Sequence, residues 1–267
     1  MTFLDLVIGI TGLALFIFWL AWIAARRIDN YSIVDAIWAL SFGLFALPIL
    51  LFAPGDPTRK LLLGGMFLIW SLRLGGFLSL RIFSHLDAED TRYIKLREEY
   101  GSRVAFRFFL FFTYQALSVV YLLGPLFVAA MNPSPGLVPL EWIGAVVWLI
   151  GLIGEGTADG QMSKFRADPK NKGQICESGL WYYSRHPNYF FECLVWLGYG
   201  FFVVASPGGW ITLYAPASLW FLILKVTGVP MAEKTSLQTF GDRYRAYQAT
   251  TSEVIPLPKR KSYKLAP

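Results

Sequence analysis

Charge is scarce in this chain. Lys, Arg, Asp and Glu make up 16% of its 267 residues, against about 25% in a soluble domain, which excludes a large solvated surface. Cysteine is scarcer still, with Cys176 and Cys193 alone. Two thiols without metal-ligand spacing exclude a disulfide scaffold and a cysteine zinc site, and no metal is expected. No internal repeat and no low-complexity tract is present, so solenoids and disordered linkers are excluded as well. Lys and Arg are also missing from part of the chain's own connections: the stretches 131–140 and 205–208 hold none.

What is present is apolar sequence in long runs. Hydrophobic residues make up 55% and mean hydropathy is +0.47. Seven runs fall near 5–25, 32–53, 61–83, 108–130, 139–158, 188–205 and 208–229. Each is about 20 residues, the length a helix needs to cross roughly 30 Å of hydrocarbon. The connections alternate in charge. Those after the first, third and fifth runs, with the tail, carry Arg26, Arg27, Arg92, Lys95, Arg97, Arg103, Lys164, Arg166, Lys170, Lys172 and Arg185, whereas the opposite side has only Arg59 and Lys60. The expectation is an all-α integral membrane protein, a bundle of seven transmembrane helices with the N-terminus outside and the C-terminus cytoplasmic. The first run lacks a basic segment before it and has Arg26-Arg27 after it, so it reads as a retained anchor. The net charge of +6 suits cytoplasmic loops against anionic lipid. Nucleic acid is not an expected partner, because exposed aromatics interleaved with basic stripes are missing.

The helices should pack as one membrane domain over 1–267, with an N-terminal half near 1–130 and a C-terminal half near 139–258. Two polar insertions interrupt them. Segment 84–106 mixes both signs of charge and predicts a helix or helical hairpin. Segment 159–187 is long, basic and broken by Gly and Pro, and such a loop in a compact bundle points to function. Pro187 suits the first position of the sixth helix. In the tail, Leu237, Phe240, Tyr244 and Tyr247 share a helical face, which predicts one amphipathic helix.

Ionisable groups inside apolar runs are costly and mark candidate sites. Asp35, Arg73, Arg81, Glu155, Glu192 and Lys225 are of this kind. Apart from Arg73 they fall on the cytoplasmic side and predict a polar cavity opening there. A salt bridge from Asp35 to Arg73 or Arg81 is the plain structural alternative.

The densest constellation is GLWYYSRHPNYFFE at 179–192. Asn188 and Glu192 share a helix face, as do Tyr189 and Glu192. Arg185 suits phosphate, the first turn of the helix attracts anions, and Lys164 and Arg166 add charge. Trp181, Tyr182 or Tyr183 suit stacking on a base. The stretch from Asp159 to Glu192, with FR at 165–166 and SRHPNY…E at 184–192, resembles the C-terminal core of the steroid 5-alpha reductase and sterol reductase superfamily, in its bacterial branch of unknown function. The tail KVTGVP…EK…Y…Y…TS…IPLP at 225–258 and ED.RY..LR at 89–97 are similar to that branch too. The resemblance implies a membrane reductase that holds NADPH on the cytoplasmic side and reduces a carbon–carbon double bond in a lipid or steroid-like substrate. It places the cofactor on the C-terminal half, the substrate on the N-terminal half, and the protein in the bacterial inner membrane. Position by position it implies cofactor contacts from Asp159, Lys164, Arg166, Trp181, Tyr183, Arg185, His186, Asn188, Tyr189, Glu192, Glu233, Lys234 and Tyr247.

The N-terminal half departs from that pattern. The 5-alpha reductases proper have a Gln-Glu pair in the second helix and a Tyr in the third, whereas this chain offers Asp35 and no tyrosine within 61–83. Asp35, Tyr93 and Tyr114 are the candidate proton donors. The Arg-His-Pro-x-Tyr entrance also resembles membrane methyltransferases of the isoprenylcysteine and phospholipid type, which use S-adenosylmethionine. Five cations near one site favour a phosphate-bearing nucleotide. A non-enzymatic transporter is a third alternative, although inverted repeats are not seen.

Overall fold

A capping box opens the first helix. Thr2 N donates to Asp5 Oδ2 at 2.9 Å and Asp5 N returns a bond to Thr2 Oγ1 at 3.2 Å, so two otherwise unpaired N–H groups are satisfied. The computed structural model describes residues 1–84 and 86–260; His85, within the charged 84–106 segment, and the last basic residues of the tail lie outside the described residues. Among the described residues the regular structure is helical, with one isolated bridge between Ser184 and Ser252. The helices are α1 (Phe3–Ile28), α2 (Ile33–Phe52), α3 (Pro57–Phe83), α4 (Thr91–Tyr100), α5 (Val104–Leu122), α6 (Gly124–Ala130), α7 (Pro139–Ala167), α8 (Leu180–Tyr183), α9 (Pro187–Val204), α10 (Tyr214–Phe221), α11 (Val229–Phe240) and α12 (Asp242–Thr250).

Among the described residues six helical stretches are long and apolar enough to cross a membrane. They match the apolar runs except the sixth, where α9 has only 18 residues and opens on Pro187, Asn188 and Tyr189, with Glu192 one turn on. The last stretch is not uniform. Its α-helix α10 passes into a π-helical turn at Leu222–Val226 before α11 begins.

The chain divides into two compact units. The first takes Met1–Pro139 and Val203–Ala215. In it α2 and α3 lie in close contact. A Cβ on Gly75 would come within 2.5 Å of the Leu40 side chain, and Ser71 Oγ donates to Ala39 O at 2.6 Å while accepting from Gly43 N at 2.9 Å. The aromatic core of this pair is Phe42, Phe67 and Trp70, all buried. Trp38 Nε1 reaches Ser118 Oγ at 2.8 Å and ties α2 to α5. Arg59 is buried and donates to Ser134 O at 2.7 Å and Gly136 O at 2.6 Å. It pins the loop before α7, so this cation serves the fold rather than the membrane surface.

The second unit takes Leu140–Phe202 and the chain from Pro216 on. Here α7 and α9 touch backbone to backbone. A Cβ on Gly151 would sit 2.6 Å from Val195 N, and one on Gly198 would sit 2.6 Å from Trp148 N. Small residues at such crossings let helices approach closely where lipid supplies no hydrophobic drive. In the tail, the one amphipathic helix expected from sequence is two helices. Gly241, at φ +56°, ends α11 and opens α12, a conformation that favours glycine. Tyr244 and Tyr247 of the expected face are buried.

Gly151→Ala places a methyl against main chain that has no rotamer with which to yield. It should cost about 1–3 kcal/mol, the usual penalty of overpacking, read as a lower unfolding temperature in detergent. An unchanged unfolding temperature would refute this close crossing.

Candidate functional site

Two clusters of polar residues stand out, one in each unit. In the second unit, Gly179 at φ +60° starts α8, and a Cβ there would strike Gln161 Oε1 at 2.5 Å. That oxygen accepts the N–H of Leu180 at 2.8 Å, so the turn is fixed to α7. The indole of Trp181 is buried and donates to Ala158 O at 3.0 Å. The phenol of Tyr247 donates to Trp181 O and, at 3.3 Å, to Ser184 O. Ser184 Oγ in turn donates to Val254 O at 2.6 Å and accepts from His186 N at 3.1 Å. The α8–α9 corner is thereby locked between α7, α12 and the tail. Pro187 then opens α9, where its missing N–H costs nothing.

At this corner the carboxylate of Glu233 gathers four donors. Arg185 Nε donates to Oε1 at 2.9 Å and Nη2 to Oε2 at 3.3 Å. His186 Nε2 lies 2.7 Å from Oε1, Tyr244 OH donates to Oε1 at 2.8 Å, and Gln248 Nε2 donates to Oε2. Arg185 also donates to Thr251 O at 2.6 Å, and its own N–H to Ser252 O at 2.9 Å. The Arg185 and Glu233 side chains are only 8% and 12% exposed, so the pair is desolvated and needs this full set of partners. Burial, reinforced by the Glu233 carboxylate, pushes the Tyr244 phenol above its ordinary 10.0. Burial does the same for Tyr247.

The residues expected to contact a cofactor fall into two groups. Trp181, Arg185, His186, Glu233 and Tyr247 are engaged with one another or with main chain in the corner just described. Glu192 is buried and accepts from Trp196 Nε1 at 2.8 Å. On the outside, Lys164, Arg166, Tyr183 and Lys234 are exposed, as are Lys170 and Lys172. Asp159, Asn188 and Tyr189 are half-buried, and the Tyr189 ring lies parallel to that of His186 at 5.5 Å. The basic loop after α7 folds back rather than hanging free: Asn171 Nδ2 donates to Phe165 O at 3.0 Å, and Arg243 Nη2 donates to Gly173 O at 3.0 Å. Four exposed cations therefore stand on a held backbone. Gln248 carries no signal in the sequence, since it lies 15 residues from Glu233 and beyond the Gly241 break.

In the first unit, Asp35 sits in the first turn of α2. Its partners are neither Arg73 nor Arg81. Tyr93 OH donates to Oδ1 at 2.6 Å and Arg92 Nη2 donates to Oδ2 at 2.8 Å. Tyr93 is buried. Arg92 also bonds Asp90, which receives Arg81 Nη2 at 2.8 Å. Burial works to raise the Asp90 carboxyl, but the Arg92 hydrogen bond and the Arg92 and Arg81 charges outweigh it and hold the group below its ordinary value. Next to it, Arg97 joins Glu89 at 2.5 Å and Asp29 at 2.8 Å. Asp35 and Tyr93 are thus brought together, whereas Tyr114 is 66% exposed on α5. Arg92, the missing partner, looked in sequence like one more loop cation.

A family model described as Protein of unknown function (DUF1295) matches residues 21–251. An uncharacterised protein of Schizosaccharomyces pombe is 24% identical over 263 residues, covering 85% of this chain and 73% of its own. No solved structure matches.

Glu233→Ala would leave the Arg185 guanidinium buried without its counter-charge. The expected loss is about 3–5 kcal/mol, measured by thermal unfolding against the exposed control Lys234→Ala. The two raised phenols act at high pH. Their extra affinity for protons in the folded state stabilises fully below the ordinary value of 10.0. That contribution is lost as the unfolded state sheds its protons above about pH 10. Unfolding temperature should therefore fall above that pH, and Tyr244→Phe should flatten the fall.

Proposed function

The chain belongs to the DUF1295 family, and we propose that it is a membrane-embedded, NADPH-dependent reductase of a carbon–carbon double bond in an apolar lipid or steroid-like substrate. The reading rests on the likeness of residues 159–192 to the steroid 5-alpha reductase core. Within the second unit one observation carries it: four exposed cations, Lys164, Arg166, Lys170 and Lys172, lie on the end of α7 and the loop that leads from it to the α8–α9 corner. A pyrophosphate and a 2′-phosphate need cations in that number, whereas S-adenosylmethionine carries no phosphate. Arg185 is committed to Glu233, so in this proposal it shapes the site rather than holding phosphate. Asn188 and Tyr189, half-buried on the first turn of α9, suit the sugar and carboxamide groups. Exposed Tyr182 and Tyr183 suit the base.

Bound NADPH would supply the hydride. The chain supplies position, a dry surround and a proton. We assign proton delivery to Tyr93, whose hydroxyl is oriented by Asp35, ahead of exposed Tyr114. In the membrane we place α9 as a seventh crossing, with the N-terminus outside, the cofactor site cytoplasmic, and the bacterial inner membrane as the location.

The test is calorimetric titration of purified protein with NADPH, NADH and S-adenosylmethionine. NADPH should bind, and Arg166→Ala and Asn188→Ala should each weaken it, the cation by about 10- to 100-fold as a charged hydrogen bond is lost. Tyr93→Phe should leave that affinity intact and lower turnover. Binding of S-adenosylmethionine alone would transfer the protein to lipid methylation, and binding of none of the three would sink the reductase reading.

A further inference from the structure

The first unit carries a cluster of positive charge that the proposed chemistry does not use. Helices α1 and α5 run antiparallel, since Trp22 Nε1 donates to Ala105 O at 3.1 Å and Trp19 Nε1 to Thr113 Oγ1 at 3.1 Å. That register sets the last turn of α1, with Arg26 and Arg27, beside the start of α5, with Arg103 and Arg107. All four arginines are exposed. Among the described residues none of the four is paired with a carboxylate, whereas Arg81, Arg92 and Arg97 of the same unit each are. The Arg26 guanidinium lies 5.0 Å over the Trp22 ring instead.

A shallow, open depression on the surface of α1 lies at this point, lined by Ile23, Arg26 and Arg27. Beyond the charges the surface is apolar: Trp19, Leu20, Ile23 and Phe106 are all exposed. Cations at the helix end, tryptophans one turn in and bare aliphatic surface after them form the profile of a membrane interface. Like charges left side by side repel, and an anion between them reverses that penalty. Guanidinium groups match phosphate oxygens in a bidentate fork.

We propose that this end of α1 and α5 is a binding site for an anionic phospholipid. Its phosphate lies against Arg26 and Arg27, with Arg103 and Arg107 adding attraction, and its acyl chains follow Leu20, Ile23 and Phe106. The proposal is independent of the reductase reading, because none of these residues belongs to the proposed cofactor site.

The test uses the full chain in detergent, titrated with phosphatidylglycerol or phosphatidylcholine and read by native mass spectrometry. Preference for phosphatidylglycerol is expected, and Arg26→Gln with Arg27→Gln should reduce it by about tenfold or more. Arg103→Gln with Arg107→Gln should reduce it less. An equal preference for the two lipids, or one that the first pair leaves unchanged, overturns the proposal. Inorganic phosphate separates the sources: if it displaces the lipid at equal concentration, the site is one for free phosphate and the proposal fails. Should a Gln pair not fold, raising the salt on the unsubstituted chain decides the matter. Preference must then fall as salt rises, and salt-insensitive preference is the refuting result.

Discussion

A guanidinium taken out of water has to be neutralised where it sits, and Arg185 meets that requirement through Glu233. The cost of burying both charges is offset only when every remaining donor and acceptor is used. That explains why His186, Tyr244 and Gln248 converge on one carboxylate, and why Arg185 reaches on to the carbonyl of Thr251. Two stretches distant in sequence are joined by this one demand: the α8–α9 corner, and the run of α11, α12 and the strand-like tail at Ser252. The exposed cations after α7 inherit their position from it, through Arg243 of α12 on the carbonyl of Gly173.

The same logic sorts the arginines of the first unit. Arg81 and Arg92 share Asp90, Arg92 also pairs with Asp35, and beside them Arg97 pairs with Asp29 and Glu89. These pairs are partly exposed, and each alone contributes little in water. The first set orients the hydroxyl of the buried Tyr93 through Asp35. Arg26, Arg27, Arg103 and Arg107 stand outside both sets and are exposed. One polarity of residue thus serves two ends: structure where carboxylates are near, attraction of an anion where they are not.

Much of this was legible before any coordinates. Helix positions follow from runs of apolar residues, because a stretch of that length must satisfy its backbone internally in lipid. Arg185 and His186 stand out in the sequence beside Pro187, whereas Glu233 lies far along the chain and its pairing with them is visible only in the fold. Asp35 was identifiable as costly, but its partner Arg92 lies 57 positions away, beyond the reach of any helical periodicity. The tail helix was misjudged as continuous because Leu237, Phe240, Tyr244 and Tyr247 keep a helical phase across Gly241. One glycine in the left-handed region breaks the axis while leaving that pattern intact.

The sequence by itself determined that the chain is helical, that it carries helices able to span a membrane, and which of its residues are chemically conspicuous. Those properties are set by composition and by contacts a few residues apart, where periodicity is a sufficient guide. Only the tertiary structure decided which conspicuous residues are spent on holding the fold and which remain exposed. That division depends on pairings between distant segments, such as Glu233 with Arg185 or Asp35 with Arg92. The desolvation of each charge, and hence its need for a partner, exists only once the helices have packed.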